Sequence, residues 1–209
     1  MGARVTETAR ILLATSNPHK LDEVRAVLAP LGWSVIGLED LPGAFEEPVE
    51  DADTFAGNAR IKAVDYARMT GVRCLADDSG LVVDALDGAP GVRSARYAGL
   101  GSNRAERDEA NNTKLLAAIA SVPPERRAAR FVCAMCLADP DGTVLAETQG
   151  HFEGVITTKP AGANGFGYDP LLYLPDMGCT SAQLSPEVKN SRSHRGAATR
   201  AMVDRIKSM

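Results

Sequence analysis

Cysteine is scarce in this chain: Cys74, Cys133, Cys136 and Cys179 are all it has. Four thiols are too few to staple a disulfide scaffold, and no leader-like apolar segment opens the sequence, so a reducing cytoplasm is the expected setting. Cys133 and Cys136 form a C-x-x-C match. They lie in a run that reads as a strand, where an odd separation sends the thiols to opposite faces, so packed core thiols are expected rather than a redox or zinc pair. Histidine is scarcer still, with only His19, His151 and His194, which argues against a His-rich zinc site. No apolar run approaches the roughly 20 residues that cross a bilayer. The start Met1-Gly2-Ala3-Arg4-Val5-Thr6 formally fits an acylation pattern, but it lacks a polybasic partner and reads as a chance match. Excess positive charge is also missing. A net charge of −4 and a pI near 5.4 exclude the dense cationic surface that nonspecific duplex binding requires, so no nucleic-acid or membrane partner is expected.

What is present is a chain of 209 residues, 44% of them hydrophobic, enough to bury the core of one domain spanning 1–209. Ile11 to Ala14 reads as a short buried strand emptying into polar Thr15-Ser16-Asn17. A helix follows, with Leu21, Val24, Leu28 and Leu31 at helical spacing and Gly32 as its stop. A strand over 34–38 leads into the acidic segment 46–53. Thr54 then caps a helix to about Met69, with Phe55, Ala59, Ala63 and Ala67 on its buried stripe. Cys74 to Ala76 reads as a strand, Asp77-Asp78-Ser79-Gly80 as a tight polar turn, and Leu81 to Leu86 as the next strand. Asn103 and Glu106 form a capping box for a helix to about Ile119, which Pro123-Pro124 cannot continue. Residues 131–137 and 144–156, joined by Pro140-Asp141-Gly142, read as a long hairpin with bulges or bends at Gly150 and Gly154. A Gly-rich loop over 160–170 and a final helix bearing Ala198, Ala201, Met202 and Ile206 complete one α/β unit with a mixed, curved sheet.

Four polar clusters fall between these apolar elements, where core packing does not account for them. The first is Thr15-Ser16-Asn17-Pro18-His19-Lys20. At a helix N-terminus, free N–H groups and the helix dipole favour an anion such as phosphate, although N-capping by Ser16 or Asn17 explains part of the composition equally well. The G-x-x-x-x-G-K-[ST] spacing of a Walker loop is missing. In the second cluster, Asp77 and Asp78 cannot share a direction on extended backbone, so one faces the site and the other braces the structure. A carboxylate facing a triphosphate needs a hard cation to offset repulsion, and Mg²⁺ fits, with Glu50 or its acidic neighbours as a further ligand. A turn with local Asx hydrogen bonds is the alternative.

The third cluster, Gly165-Phe166-Gly167-Tyr168-Asp169-Pro170, lacks the strand-to-helix context of a dinucleotide fingerprint. Phe166 or Tyr168 offers a ring for a purine, and Asp169 can brace nearby cations. The fourth gathers Lys189, Arg192, His194 and Arg195 before the last helix, with Arg195 supplying a rigid donor fork.

Taken together, the segments LLATSNPHKLDEV, TFAGNARIKA, LADDSGLVVDALDGAPGVRSARYAG, NGFGYDPL and EVKNSRSHRGAA resemble the inosine triphosphate pyrophosphatase family, also called the XTP/dITP diphosphatases. The likeness covers nearly the whole chain. It implies an elongated α/β fold with two lobes flanking a cleft, a homodimer, a Mg²⁺ requirement, and hydrolysis of ITP, dITP and XTP to monophosphate and pyrophosphate. By position it implies that Thr15 through Lys20 grip the triphosphate and that Asp78 is the acidic catalytic residue, with Ser79 beside it on the substrate. Phe166, Gly167, Tyr168, Asp169, Lys189, His194 and Arg195 would frame the base and sugar. The family usually carries a metal-binding Glu and a Gly just before Thr-Phe. This chain reads Val49-Glu50-Asp51-Ala52-Asp53-Thr54-Phe55, which makes Glu50 the best match for the second ligand, with Glu46 and Glu47 as alternatives.

Overall fold

The computed structural model describes residues 10–209; the acylation-like start lies outside them. Seven strands form one mixed sheet in the order β2-β1-β3-β4-β5-β6-β7. They are β1 (Arg10–Leu13), β2 (Ser34–Gly37), β3 (Cys74–Val83), β4 (Ala128–Ala138), β5 (Val144–Ile156), β6 (Leu172–Leu174) and β7 (Cys179–Thr180). β1 runs parallel to β2 and β3, and every later neighbour is antiparallel. The α/β reading with a mixed sheet and a β4–β5 hairpin holds.

Period-two alternation along β4 divides the core. Cys133, Met135 and Leu137 pack with α1 (Pro18–Leu28) and α5 (His194–Lys207) on one face. Ala134, Cys136 and Ala138 pack with α2 (Phe55–Thr70) on the other. The two thiols of the C-x-x-C match therefore point to opposite faces, as strand geometry requires. Ala59, Ala63 and Ala67 are fully buried, so α2 approaches its face through alanines. The rest of the sheet, Phe131, Phe152 and Leu172 among its residues, packs with Leu115 of α3 (Arg104–Ala118) to form a second lobe.

Local chemistry sets the helix ends. Thr54 Oγ1 accepts from the Gly57 N–H at 3.0 Å, and α2 stops at Gly71 with φ of 67°. Asn103 caps α3, its Oδ1 accepting from the Glu106 N–H at 3.0 Å, but the expected capping box is incomplete: the Glu106 carboxylate accepts from the Asn103 side-chain amide at 2.7 Å and the Ser102 N–H at 2.8 Å, not from the Asn103 N–H.

Several expectations are corrected. No turn interrupts residues 77–80: β3 is continuous, and Asp77, Asp78, Ser79 and Gly80 pair in register with Met135, Ala134, Cys133 and Val132. The polarity that suggested a turn is instead satisfied by charged side chains from the covering helices. β5 carries no bulge at Gly150 or Gly154; the register shift falls at Leu137/Ala138. These glycines mark close approaches, since a Cβ at Gly150 would lie 2.1 Å from the His194 carbonyl and one at Gly154 would lie 2.5 Å from that of Tyr173. Leu31 leaves the buried stripe and is 45% exposed, because α1 ends at Leu28 and a 3-10 turn redirects the chain. Residues before the last helix form their own short helix, α4 (Pro186–Arg192), and β6 and β7 arise after the Gly-rich loop, in a stretch to which the sequence pattern assigns no element.

Candidate functional site

The four polar clusters meet in one cleft of about 460 Å³ between the lobes, within the range of small-molecule sites. Lys20, Asp78 and Arg195, widely separated in sequence, all line it. So do Thr15, Ser16, Asn17, Glu50, Ser79, Phe166, Gly167, Tyr168, Asp169, Lys189 and His194. Pro18 and His19 do not line the cleft, although the His19 ring stacks on Phe166 with centroids 5.4 Å apart.

One end of the cleft is built by the β1–α1 junction. Asn17 is the N-cap of α1, its Oδ1 accepting from the His19 N–H at 3.1 Å, and Pro18 occupies the first turn, where a missing N–H costs nothing. Thr15 Oγ1 accepts from the Asn17 N–H at 3.1 Å. Lys20 leaves the same turn and reaches Asp77 Oδ2 at 3.0 Å.

Strand alternation gives the adjacent aspartates separate surroundings. Asp77 is 1% exposed, and its Oδ2 accepts from Lys20 and from Arg195 Nη2 at 3.1 Å. Burial opposes its ionisation, but Lys20 and Arg195 override that cost and hold the carboxyl well below the usual range. Asp78, 8% exposed, accepts from Asn58 Nδ2 at 3.2 Å and from Lys62 Nζ at 3.4 Å. Its burial prevails, and the carboxyl is raised above its ordinary value despite Lys62 and Lys20.

Lys62 Nζ also lies 3.0 Å from Glu50 Oε2, so two carboxylates, Asp78 and Glu50, converge on one ammonium position. Oxygen donors from two acids around a single cationic point fit a hard divalent ion that takes its remaining ligands from substrate phosphates and water. Among the described residues no group of three His, Cys, Asp or Glu surrounds one point, so a metal here would depend on its substrate for ligands.

The far end of the cleft is a charge network around one ring. Asp169, 2% exposed, accepts from Lys189 Nζ at 2.6 Å, from the Phe166 N–H at 2.8 Å and from Ser181 Oγ at 2.7 Å. Gly165 permits this, since a Cβ there would sit 2.1 Å from Asp169 Oδ2. Glu23 bridges Lys189 at 3.2 Å and Arg195 Nη1 in a close pair. Arg195 spreads over Asp77, Ser79 Oγ at 2.8 Å and Glu23, leaving little of its donor fork free. His194 is buried, stacks on Phe131 at 5.0 Å, and has an Nδ1 with no protein partner. Burial, reinforced by Arg195 and Lys189, lowers its pKa well below the ordinary value and keeps it neutral.

Of the two rings offered by the sequence, Phe166 is half-buried and lines the cleft with the His19 ring and the Arg104 guanidinium against it. Tyr168 is 4% exposed and donates its hydroxyl to the Ser94 carbonyl at 2.8 Å.

Sequence reasoning did not single out Asn58, Lys62 or Glu23. A signal existed for each: Asn58 and Lys62 stand one turn apart within an alanine stripe, and Glu23 follows Lys20 by three residues on the same helix.

Comparison with known proteins follows the same lines. A model of the Ham1 family matches residues 11–205. The chain is 48% identical over 197 residues to a protein of Geobacter sulfurreducens named dITP/XTP pyrophosphatase, covering 94% of this chain and 96% of the relative. It is 47% identical to one of that name from Thermus thermophilus, covering 95% and 92%. A solved HAM1 protein from Coxiella burnetii has a TM-score of 0.83 at 37% identity, covering 96% of this chain and all of that one. A nucleoside-triphosphatase, dITP/XTP pyrophosphatase, from Mycobacterium abscessus gives 0.72 at 43% identity, covering 92% and 97%.

Proposed function

This chain belongs to the Ham1 family, and on that footing we propose how its cleft hydrolyses deaminated purine nucleoside triphosphates. It is a nucleoside triphosphate pyrophosphatase that converts ITP, dITP and XTP to the monophosphate and pyrophosphate. The observation that carries the reading is the meeting of Lys20, Asp78 and Phe166 in one cleft.

Lys20 and the N-terminus of α1 bind the phosphate chain and stabilise charge growing on the pyrophosphate as it leaves. Thr15, Ser16 and Asn17 add hydroxyl and amide donors. Asp78 orients a water toward the α-phosphorus and takes its proton, an assignment favoured by the way burial raises its carboxyl above the ordinary value. Mg²⁺ held by Asp78 and Glu50 would supply charge neutralisation for the triphosphate. Asp77 does not touch the reacting atoms in this scheme; it holds Lys20 and Arg195 in place.

The base stacks on Phe166, with Gly167, Tyr168 and Asp169 shaping its surroundings and Lys189 and Ser79 completing the polar wall. Hypoxanthine and xanthine present O6 as an acceptor where adenine presents a donor amine. A neutral His194 and the remaining Arg195 N–H would pair with O6 and be left unpaired by ATP, which penalises the wrong base. A homodimer in the cytoplasm is the accompanying assembly and setting, supported by the family resemblance and by the cysteine usage. No helix of the described residues is long and apolar enough to cross a membrane.

The test is a pyrophosphate-release assay with ITP, XTP, dITP, ATP and GTP, with and without Mg²⁺. Pyrophosphate and monophosphate should appear in equal amounts, fastest from the deaminated bases and only with the metal. Binding of ITP without turnover would instead identify a nucleotide-binding regulator, and orthophosphate release would contradict attack at the α-phosphorus.

A further inference from the structure

Three residues one turn apart on α3, Arg104, Asp108 and Asn112, address the loop that carries Phe166. Asp108 Oδ2 accepts from the Gly167 N–H at 2.9 Å, and Asn112 Nδ2 donates to the Gly167 carbonyl at 3.0 Å. Arg104, 3.8 Å from Asp108, places its guanidinium carbon 4.6 Å from the centre of the Phe166 ring. Both backbone polar groups of Gly167 are thus held by side chains of α3.

Gly167 has a φ of 60°, in the left-handed region, and a Cβ there would meet nothing within 4 Å. The glycine is required for its backbone conformation and not for close packing. Such a residue is also free to leave that conformation, so something outside the loop must fix it. α3 is itself well anchored. Asn111 Oδ1 accepts from the Ala98 N–H at 2.7 Å, and Asn111 Nδ2 donates to the Ser94 carbonyl at 3.2 Å, which also receives the Tyr168 hydroxyl. Ser94 Oγ in turn accepts from the Leu81 N–H of β3 at 2.8 Å. The ring at one end of the cleft and Asp78 at the other are therefore referenced to the same strand.

We infer that Asp108 and Asn112 are positioning residues for base recognition: by pinning Gly167 from both sides, they hold the Phe166 ring at the height at which a purine stacks. The inference rests on the reading of Phe166 as the base platform. Loss of either pin should weaken binding at the base end of the cleft and leave the phosphate end intact, whereas general damage to the fold would weaken both.

The experiment compares Asp108→Ala, Asn112→Asp, Asp108→Asn and Phe166→Ala by steady-state kinetics with ITP. Each is also tested for inhibition by inosine monophosphate and by inorganic triphosphate, which has no base. Asp108→Ala and Asn112→Asp each remove one hydrogen bond to Gly167. Each should raise KM for ITP and the inhibition constant for inosine monophosphate roughly tenfold, with kcat little changed and triphosphate inhibition unaltered. Asp108→Asn keeps an acceptor for the Gly167 N–H and should restore near-normal inhibition by inosine monophosphate. If Asp108→Ala does not fold, Asn112→Asp, at a half-buried position, carries the same test. Parallel weakening of both inhibitors would overturn the inference, as would unchanged inosine monophosphate inhibition in the pin variants while Phe166→Ala weakens it. Unchanged inhibition in Phe166→Ala would overturn the platform reading itself, and this inference with it.

Discussion

Asp77 and Asp78 are neighbours in one strand yet make their ion pairs with different partners on opposite faces of the sheet. Asp77 Oδ2 is shared by Lys20 and Arg195, and Asp78 is held by Asn58 and Lys62. Adjacent carboxylates at a triphosphate site would repel each other if both faced it. The alternation of β3 turns one toward Lys62 and Asn58, where the proposed mechanism has it react, and leaves the other to hold Lys20 and Arg195.

The reacting role is tested at Asp78. Asp78→Asn preserves shape and the contact with Asn58 but removes the carboxylate charge, and it should lower kcat for ITP by roughly 10² to 10⁴. Thermal unfolding should show the fold retained. Turnover within a few-fold of the parent would remove Asp78 from the reaction.

Lys62 favours the ionised form of that carboxylate against the larger effect of burial. It opposes the burial that raises Asp78, so Lys62→Met should raise the Asp78 pKa further. A base must be deprotonated to act, so the acid limb of the kcat/KM profile should move to higher pH. A limb that stays in place would show that another group controls it.

Asp77→Ala should be costly to stability for a different reason. It leaves Arg195, 1% exposed, and Lys20 without their shared partner. Breaking a buried pair in this way costs about 3–5 kcal/mol. The urea midpoint should fall with the m-value unchanged; a shift within that of a surface substitution would mean that Glu23 alone suffices for Arg195.

Acid should destabilise the protein in two steps. His194 is kept neutral by burial and by Arg195 and Lys189, and its folded pKa lies below the ordinary value of 6.5. The unfolded chain therefore takes up a proton first, and stability falls as pH drops below about 6.5. Asp77 and Glu23 are held below their ordinary values by their cations against the cost of burial. Their contribution is present above the unfolded carboxylate range near pH 4 and is lost as pH falls through the lower folded values. Tm measured from about pH 8 to 5 should decline in the parent and decline less in His194→Gln; equal slopes would contradict a buried neutral imidazole.

The thiols give a check on the sheet. Cys74, Cys133 and Cys136 are buried and Cys179 is half-buried. Burial pushes the Cys136 thiol up to about 12. A thiol reagent should therefore modify Cys179 alone in the native chain and all four after denaturation. Rapid reaction of Cys133 or Cys136 would contradict their placement inside the two faces of β4.

Much of the local structure was legible because it depends on short-range rules. Thr54, Asn103 and Gly71 announce helix ends by cap chemistry. The i, i+4 alanines of α2 and the alternation of β4 announce which side is buried. The misreading of residues 77–80 has a physical origin in the same rules: four polar or small residues resemble a turn unless a paired strand satisfies their backbone and distant cations satisfy their charge.

By itself the sequence determined the α/β order of elements, the caps, the opposed thiols and the four polar clusters, since each follows from neighbours a few residues away. Tertiary structure alone decided that Asp77 pairs with Lys20 and Arg195 while Asp78 faces Lys62 and Glu50, that Tyr168 is buried and tied to Ser94 while Phe166 is only half-buried, and that α3 grips Gly167. Those outcomes depend on which charges and donors arrive from residues 16 to 118 positions away, and a carboxylate or a ring takes its role from what folding brings beside it.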